Sequence, residues 1–212
     1  MADDKDLHAR WAVTLLRASR DAPDPAPYAD QLLARWSEPQ RRYHTADHLA
    51  AVLAHLDALE EHAEDPELVR LAAWFHDAVY APDRSENEER SARLAERALP
   101  EAGLTGEQTA EVARLVRLTV THDPAEGDRN GEALCDADLA ILAAAPDAYA
   151  AYAAAVREEY GFVPDETFRT GRADVLRQLV ALPRLFRTPY GTTHWEAPAR
   201  ENLATELALL AP

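Results

Sequence analysis

Apolar residues in this chain recur at intervals of three and four and almost never alternate at intervals of two. Prolines fall between the periodic stretches, and runs of β-branched residues are nearly absent. A spacing of 3.6 residues buries one face of a helix, whereas a spacing of two would bury one face of a strand. Leu49, Val52, Leu53, Leu56 and Leu59 form such a stripe. The chain therefore reads as all-α, with helices expected over residues 7–19, 28–37, 46–62, 66–79, 86–99, 106–121, 133–144, 146–160, 165–182 and 197–210. The proline-rich segment 22–27 stops the first of these, Thr45 is placed to cap the third, and Ser85 with Glu88 has the spacing of a capping box for the fifth. No internal repeat or shift in composition divides the chain, so one helical bundle is expected over residues 1–212. Its motif-bearing core lies at about 40–145, with the helices of 146–212 packed on it.

The formal net charge is −16. Nucleic-acid duplexes and anionic membrane surfaces both draw their binding energy from Lys and Arg, so neither is expected as a partner. A small phosphorylated molecule is compatible with that charge, because a metal ion and a few local arginines set the field inside a pocket. No apolar run approaches the roughly 18 residues of a membrane span, and the acidic start at residues 1–6 has no signal-peptide pattern. Cys135 is the only cysteine, which excludes an intrachain disulfide and fits a reducing cytoplasm. Alanine and arginine in place of lysine point to a GC-rich bacterial genome.

Chemistry concentrates in three places. The segment Tyr43-His44-Thr45-Ala46-Asp47-His48 opens the third helix, and His48 lies one turn before Val52 on the apolar face. Trp74-Phe75-His76-Asp77 sits inside the most apolar helix expected in the chain. Burying adjacent His and Asp is costly without compensation, and a divalent cation accepting imidazole nitrogen and carboxylate oxygen is the simplest one. Leu134-Cys135-Asp136-Ala137-Asp138-Leu139 brings two further carboxylates among apolar neighbours.

A histidine, then a His-Asp pair, then a distant aspartate resembles the signature of the HD superfamily, carried here by His48, His76-Asp77 and Asp138. The resemblance extends to a bacterial group described as metal-dependent HD phosphohydrolases without an assigned substrate. It runs through Tyr43-His44, Phe75-His76-Asp77-x-x-Tyr80, Glu86-Asn87-Glu88-Glu89, Thr121-His122, Asp136-x-Asp138, Glu159-Tyr160, Gly171-Arg172 and Ala199-Arg200-Glu201-Asn202-Leu203. It implies an HD-type helical fold in which His48, His76, Asp77 and Asp138 hold one divalent ion. Asp138 is preferred to Asp136 because the family ligand sits in an Ala-Asp-apolar context, which leaves Asp136 on the substrate side. Mn, Fe, Co, Ni, Zn and Mg all suit such a set. Two-metal relatives carry two further histidines between His76 and the last aspartate. Here there is only His122, so one ion is favoured over a second held by Asp77 and His122.

The implied reaction is hydrolysis of a small phosphorylated compound, such as a nucleotide, by metal-activated water. Asp77 then doubles as proton acceptor, and His44 matches a proton-donating histidine of related phosphodiesterases. His122 is placed to contact phosphate or leaving group, and Glu86 to orient water. Arg42, Arg84, Arg157 and Arg172 are the arginines near these motifs, and guanidinium suits phosphate. Two other readings stand beside this one: an HD-type diiron oxygenase, which needs more histidines, and a non-catalytic metal- or nucleotide-binding module. His8, His55 and His62 read as surface or packing residues, and His194-Trp195 as closing the core.

Overall fold

A computed structural model describes residues 3–19 and 23–210. Part of the expected 22–27 breaker, Ala22, and the first two residues of the acidic start lie outside them. Among the described residues the fold is all-α, a single bundle of α1 (Asp4–Ala18), α2 (Ala26–Trp36), α3 (Ala46–Ala58), α4 (Pro66–Phe75), α5 (Asn87–Glu101), α6 (Gly106–Leu118), α7 (Arg129–Leu139), α8 (Pro146–Glu159), α9 (Asp165–Ala181), α10 (Pro189–His194) and α11 (Glu196–Leu210). A 3-10 turn, Ala140–Ala143, prolongs α7.

The central element is α4. Asp65 caps it by accepting from Leu68 N at 3.1 Å, and Pro66 occupies the first turn, where a missing N–H costs nothing. Every residue from Leu68 to Phe75 is buried, as a helix enclosed on all sides requires. It packs against α1, α3, α5, α6 and α7. Trp11 meets Trp74 edge-on at 5.3 Å, and Leu71 is fully enclosed. Truncating such a leucine to alanine removes about 2–5 kcal/mol.

A second apolar cluster holds the C-terminal helices together. It is built from Leu142, Tyr149, Leu176, Leu185, Phe186 and Leu203, with Ala199. Trp195 packs against both clusters and is the seam between them. Asn202 Nδ2 ties α11 to the end of the 3-10 turn by donating to the Leu142 and Ala144 carbonyls, each at 2.8 Å.

Several local expectations differ from the structure. α4 stops at Phe75, so His76 is the C-cap and Asp77 lies just beyond the helix rather than inside it. α3 ends at Ala58 and α6 at Leu118, each short of its apolar stripe, because Leu59 and the 119–122 segment turn away. The Ser85–Glu88 capping box does not form. Glu86 is the N-cap of α5 with no side-chain cap, and a capping box forms instead at Thr105 and Gln108 of α6. Pro100 lies inside α5 at its penultimate position, where few backbone bonds remain to be broken. The short α10 forms between 182 and 197, where the spacing predicts no helix.

No single helix among the described residues is long and apolar enough to cross a membrane. The stretch from α7 through the 3-10 turn, joined to α8, would pass by length and composition alone, but it bends by 105°.

Candidate metal centre

Three elements converge on one buried point. The first turn of α3 carries His48, the end of α4 carries His76, and the last turn of α7 carries Asp138. One ligand atom from each lies within 4.8 Å of the others, so these three residues form a group able to hold a metal ion. His48 Nε2 is 3.1 Å from Asp138 Oδ1 and 3.4 Å from His76 Nε2. His76 Nε2 is 3.5 Å from the same Asp138 oxygen and 3.3 Å from Asp77 Oδ2. Asp77 thus reaches the His76 ring but is not in the mutually close set.

The end of α4 fixes the His76 tautomer. Its Nδ1 lies 2.8 Å from the Ala73 carbonyl, which can only accept, so Nδ1 carries a hydrogen and Nε2 faces the site. Two carboxylates and a second imidazole face that nitrogen. Only a proton or a cation between them balances such an arrangement. Burial opposes charge on His76, but Asp77 and Asp138 outweigh it and raise the imidazole to about 9. His48 moves down, since burial there exceeds the pull of Asp138. Burial acts to raise the half-buried Asp138, yet His76, His122 and His48 hold its carboxyl well below the usual range. The donor set and the fixed tautomer fit a divalent ion.

Trp36 forms one wall. Its indole N–H donates to the Trp74 carbonyl at 3.0 Å, satisfying an acceptor at the end of α4. The ring then sits 5.4 Å from His76 and 6.3 Å from His48. Tyr43 packs on His48 at 4.7 Å and on Tyr152 of α8 at 4.6 Å.

His44 lies beside this centre and is held by Glu159, the last residue of α8. Its Nδ1 donates to Glu159 Oε2 at 2.7 Å, and its Nε2 is 4.0 Å from Asp77 Oδ2. Glu159 is buried, and its other oxygen accepts the backbone N–H of Arg42, Tyr43 and His44 at 2.7, 2.9 and 3.0 Å. Tyr80 O–H adds a donor to Oε2 at 3.1 Å. Burial acts to raise Glu159, but His44 and these amides bring it down to about 2. His44 moves up: its desolvation is outweighed by Glu159 and Asp77.

His122 sits past the end of α6 with φ 50°, the only positive φ outside glycine among the described residues. An L-residue pays on the order of 1 kcal/mol there, and such positions concentrate at functional sites. Its Nε2 donates to Asp138 Oδ2 at 2.7 Å, so it engages Asp138 and not Asp77, the partner expected for a second ion.

Other expected site residues lie elsewhere. Asp136 and Asp138 are two apart on α7, which separates them by about 200° around the axis. Asp136 consequently points to the C-terminal cluster, where it accepts Arg187 N, Thr188 N and Thr188 O–H at 2.8, 2.8 and 2.7 Å. It anchors the loop before α10 and does not face the substrate side. Arg157 clamps the α8–α9 turn through the Tyr160 and Val163 carbonyls and Asp165. Arg84 and Glu86 are exposed and border a shallow surface depression with Asp83, Ser85 and Arg90, not the metal centre. Arg42 does line the cleft of about 290 Å³ that also exposes His48 and Asp138. Arg172 borders a separate cleft on the His44 side and pairs with Glu206.

Two residues went unassigned in the sequence. Glu159 has a visible signal, since Tyr152, Val156 and Glu159 follow helical spacing and place it on an otherwise apolar face. Arg41 has none; its neighbour Arg42 looks equivalent. Yet the Arg41 side chain is enclosed, donating to the His44 carbonyl at 2.9 Å and lying 5.3 Å from the Trp36 and Tyr80 ring centres.

No protein-family model, no curated protein and no solved structure matches the chain.

Proposed function

We propose that this protein is a metal-dependent phosphohydrolase of HD type, acting on a small phosphorylated compound. The observation that carries the reading is the convergence of His48, His76 and Asp138 around an imidazole whose tautomer is fixed by the Ala73 carbonyl. Asp77 completes the expected ligand set from 3.3 Å away. His48, His76, Asp138 and Asp77 would hold a divalent ion, which would lower the pKa of a bound water and polarise a phosphoryl oxygen.

The chain's own groups supply the remaining functions. Asp77 is placed to accept a proton from the attacking water. The water oxygen bonds to phosphorus as the bond to the leaving oxygen breaks. His44, held through Nδ1 by Glu159, presents Nε2 to return a proton to that oxygen, and Glu159 and Asp77, outweighing its burial, favour the protonated form that donates. His122 steadies Asp138 from the face opposite the two metal histidines' shared oxygen, through Oδ2. Arg42 is the arginine that lines this cleft; its Nη1 donates to the Pro39 and Arg41 carbonyls and its Nε lies 3.8 Å from Glu158, so a phosphate there would share it with those groups.

The test is elemental analysis of the purified chain, followed by a phosphomonoester and phosphodiester screen with the metal found. Bound transition metal and turnover, both lost in His76→Ala, are expected. Full metal occupancy and activity in that variant would refute the assignment. Stabilisation by phosphorylated ligands without turnover would favour a binding module.

A further inference from the structure

Beside His44, and distinct from the His48–Asp138 cleft, α8 and α9 enclose a second cleft of about 450 Å³. Its walls are Tyr152, Val156, Tyr160, Val163, Phe168 and Val175. The only ionisable groups on it besides tyrosines are His44 at one end and Arg172. Arg172 is not free to bind an anion. Its Nε and Nη2 form a fork on Glu206 at 2.8 and 2.9 Å, and Nη1 and Nη2 reach the Tyr152 hydroxyl at 3.3 Å. The guanidinium also lies over the Tyr152 ring at 5.2 Å. The positive charge is therefore balanced within the protein, and a second phosphate or a carboxylate finds no counter-charge here.

What the cleft offers is aromatic surface. Tyr160 and Phe168 lie 6.2 Å apart with their planes tilted by 44°, and Tyr152 closes the inner end against Tyr43. The Arg157 guanidinium lies over Phe168 at 4.7 Å and Phe162 stacks on Tyr160 at 6.0 Å, so an incoming ring meets the remaining edges and faces, edge-on or offset, with more gain than area alone gives. Thr167 adds a hydroxyl-bearing side chain to the lining. Tyr152 also borders the cleft that exposes His48 and Asp138, so the two spaces share one wall.

We infer that the α8–α9 cleft binds a flat, uncharged aromatic ring, a nucleobase or aryl group, which is the leaving-group side of the phosphorylated substrate. The placement of that group's ester oxygen at His44 rests on the hydrolase reading; the binding of the ring does not. Of the expected partners, this selects aryl phosphates and nucleotides over sugar or alkyl phosphates.

Gly171 supplies the test. It lines the cleft, and a Cβ built on it meets nothing within 4 Å, so a large side chain there projects into open space. It lies within α9 and has no positive φ, so replacing it removes a helix-weakening glycine. The experiment is calorimetric titration of the full chain with adenosine, phenol and 1-hexanol, repeated on Gly171→Phe. Folding and metal content of the variant are checked by circular dichroism and elemental analysis. Binding of adenosine or phenol, weakened at least tenfold in a folded Gly171→Phe protein, is expected; which of the two binds separates a base site from an aryl site. Absence of aromatic binding, equal binding to the variant, or preference for 1-hexanol would overturn the inference. Aromatic binding without hydrolysis of any phosphate ester would uphold the cleft and refute the hydrolase reading, so the two fail separately.

Discussion

Replacing Glu159 by glutamine keeps the shape of a buried side chain and removes its charge. That charge accepts three backbone amides, His44 Nδ1 and Tyr80 O–H. Burial favours the protonated carboxyl, yet His44 and the amides move it from an ordinary 4.5 to about 2. At about 1.4 kcal/mol per pH unit, the carboxylate contributes on the order of 3 kcal/mol to folding. A lowered carboxyl stabilises above its unfolded value, and the contribution is lost as pH falls from 4.5 toward 2. His44 has the opposite sign: its folded value is above 6.5, so its contribution is full below 6.5 and fades as pH rises through the folded value. The pair is therefore strongest between 4.5 and 6.5. For a chain of this size, 3 kcal/mol corresponds to a Tm roughly 6–12 °C lower in Glu159→Gln. Thermal melts by circular dichroism at a series of pH values between about 3 and 8 measure it, and the gap between the two proteins should narrow in acid. A difference below about 2 °C at mildly acidic pH, or one equally large at both acid and neutral pH, would refute the reasoning.

Asp138→Asn should weaken binding of Mn or Zn by at least about 100-fold in a calorimetric titration, because a direct ligand outweighs a supporting residue; an unchanged isotherm removes Asp138 from the site. Asp136→Ala should leave that titration unchanged while costing about 2–4 kcal/mol in urea unfolding, as the Arg187 and Thr188 donors lose their acceptor. His122→Asn keeps a residue tolerant of positive φ, so metal content and Tm should hold while turnover falls by about 100-fold. Loss of metal in that variant would make His122 a ligand.

The helical fold was legible because periodicity reports burial directly, and α4 shows it most clearly with its unbroken apolar run. Helix ends were less legible. The apolar stripe continues past Ala58, but Leu59 is buried from a turn, and burial does not distinguish the two. His48, His76 and Asp138 were visible from their order along the chain, and the structure brings them together. Asp136 and Arg157 were misplaced for one reason. Composition marks a charged side chain near a motif, but only the rotation around the helix says whether it faces the ion or a neighbouring loop. The role of Glu159 is not legible in the sequence, because it depends on main-chain amides and the His44 ring more than 110 positions away.

Trp195 has a consequence for how the molecule opens. The N-terminal and C-terminal oily interiors share that one indole, which touches His55, Phe186 and Tyr190 edge-on at 5.3, 5.5 and 5.2 Å. α9 buries only Ala173 and Leu176, whereas α4 buries eight residues. Breathing motions will start where enclosure is thinnest, so amide protons of α9 exchange with solvent well before those of α4. The aromatic cleft thereby sits on the looser rim of the bundle, and an arriving ring can wedge in without loosening the grip of His48, His76 and Asp138.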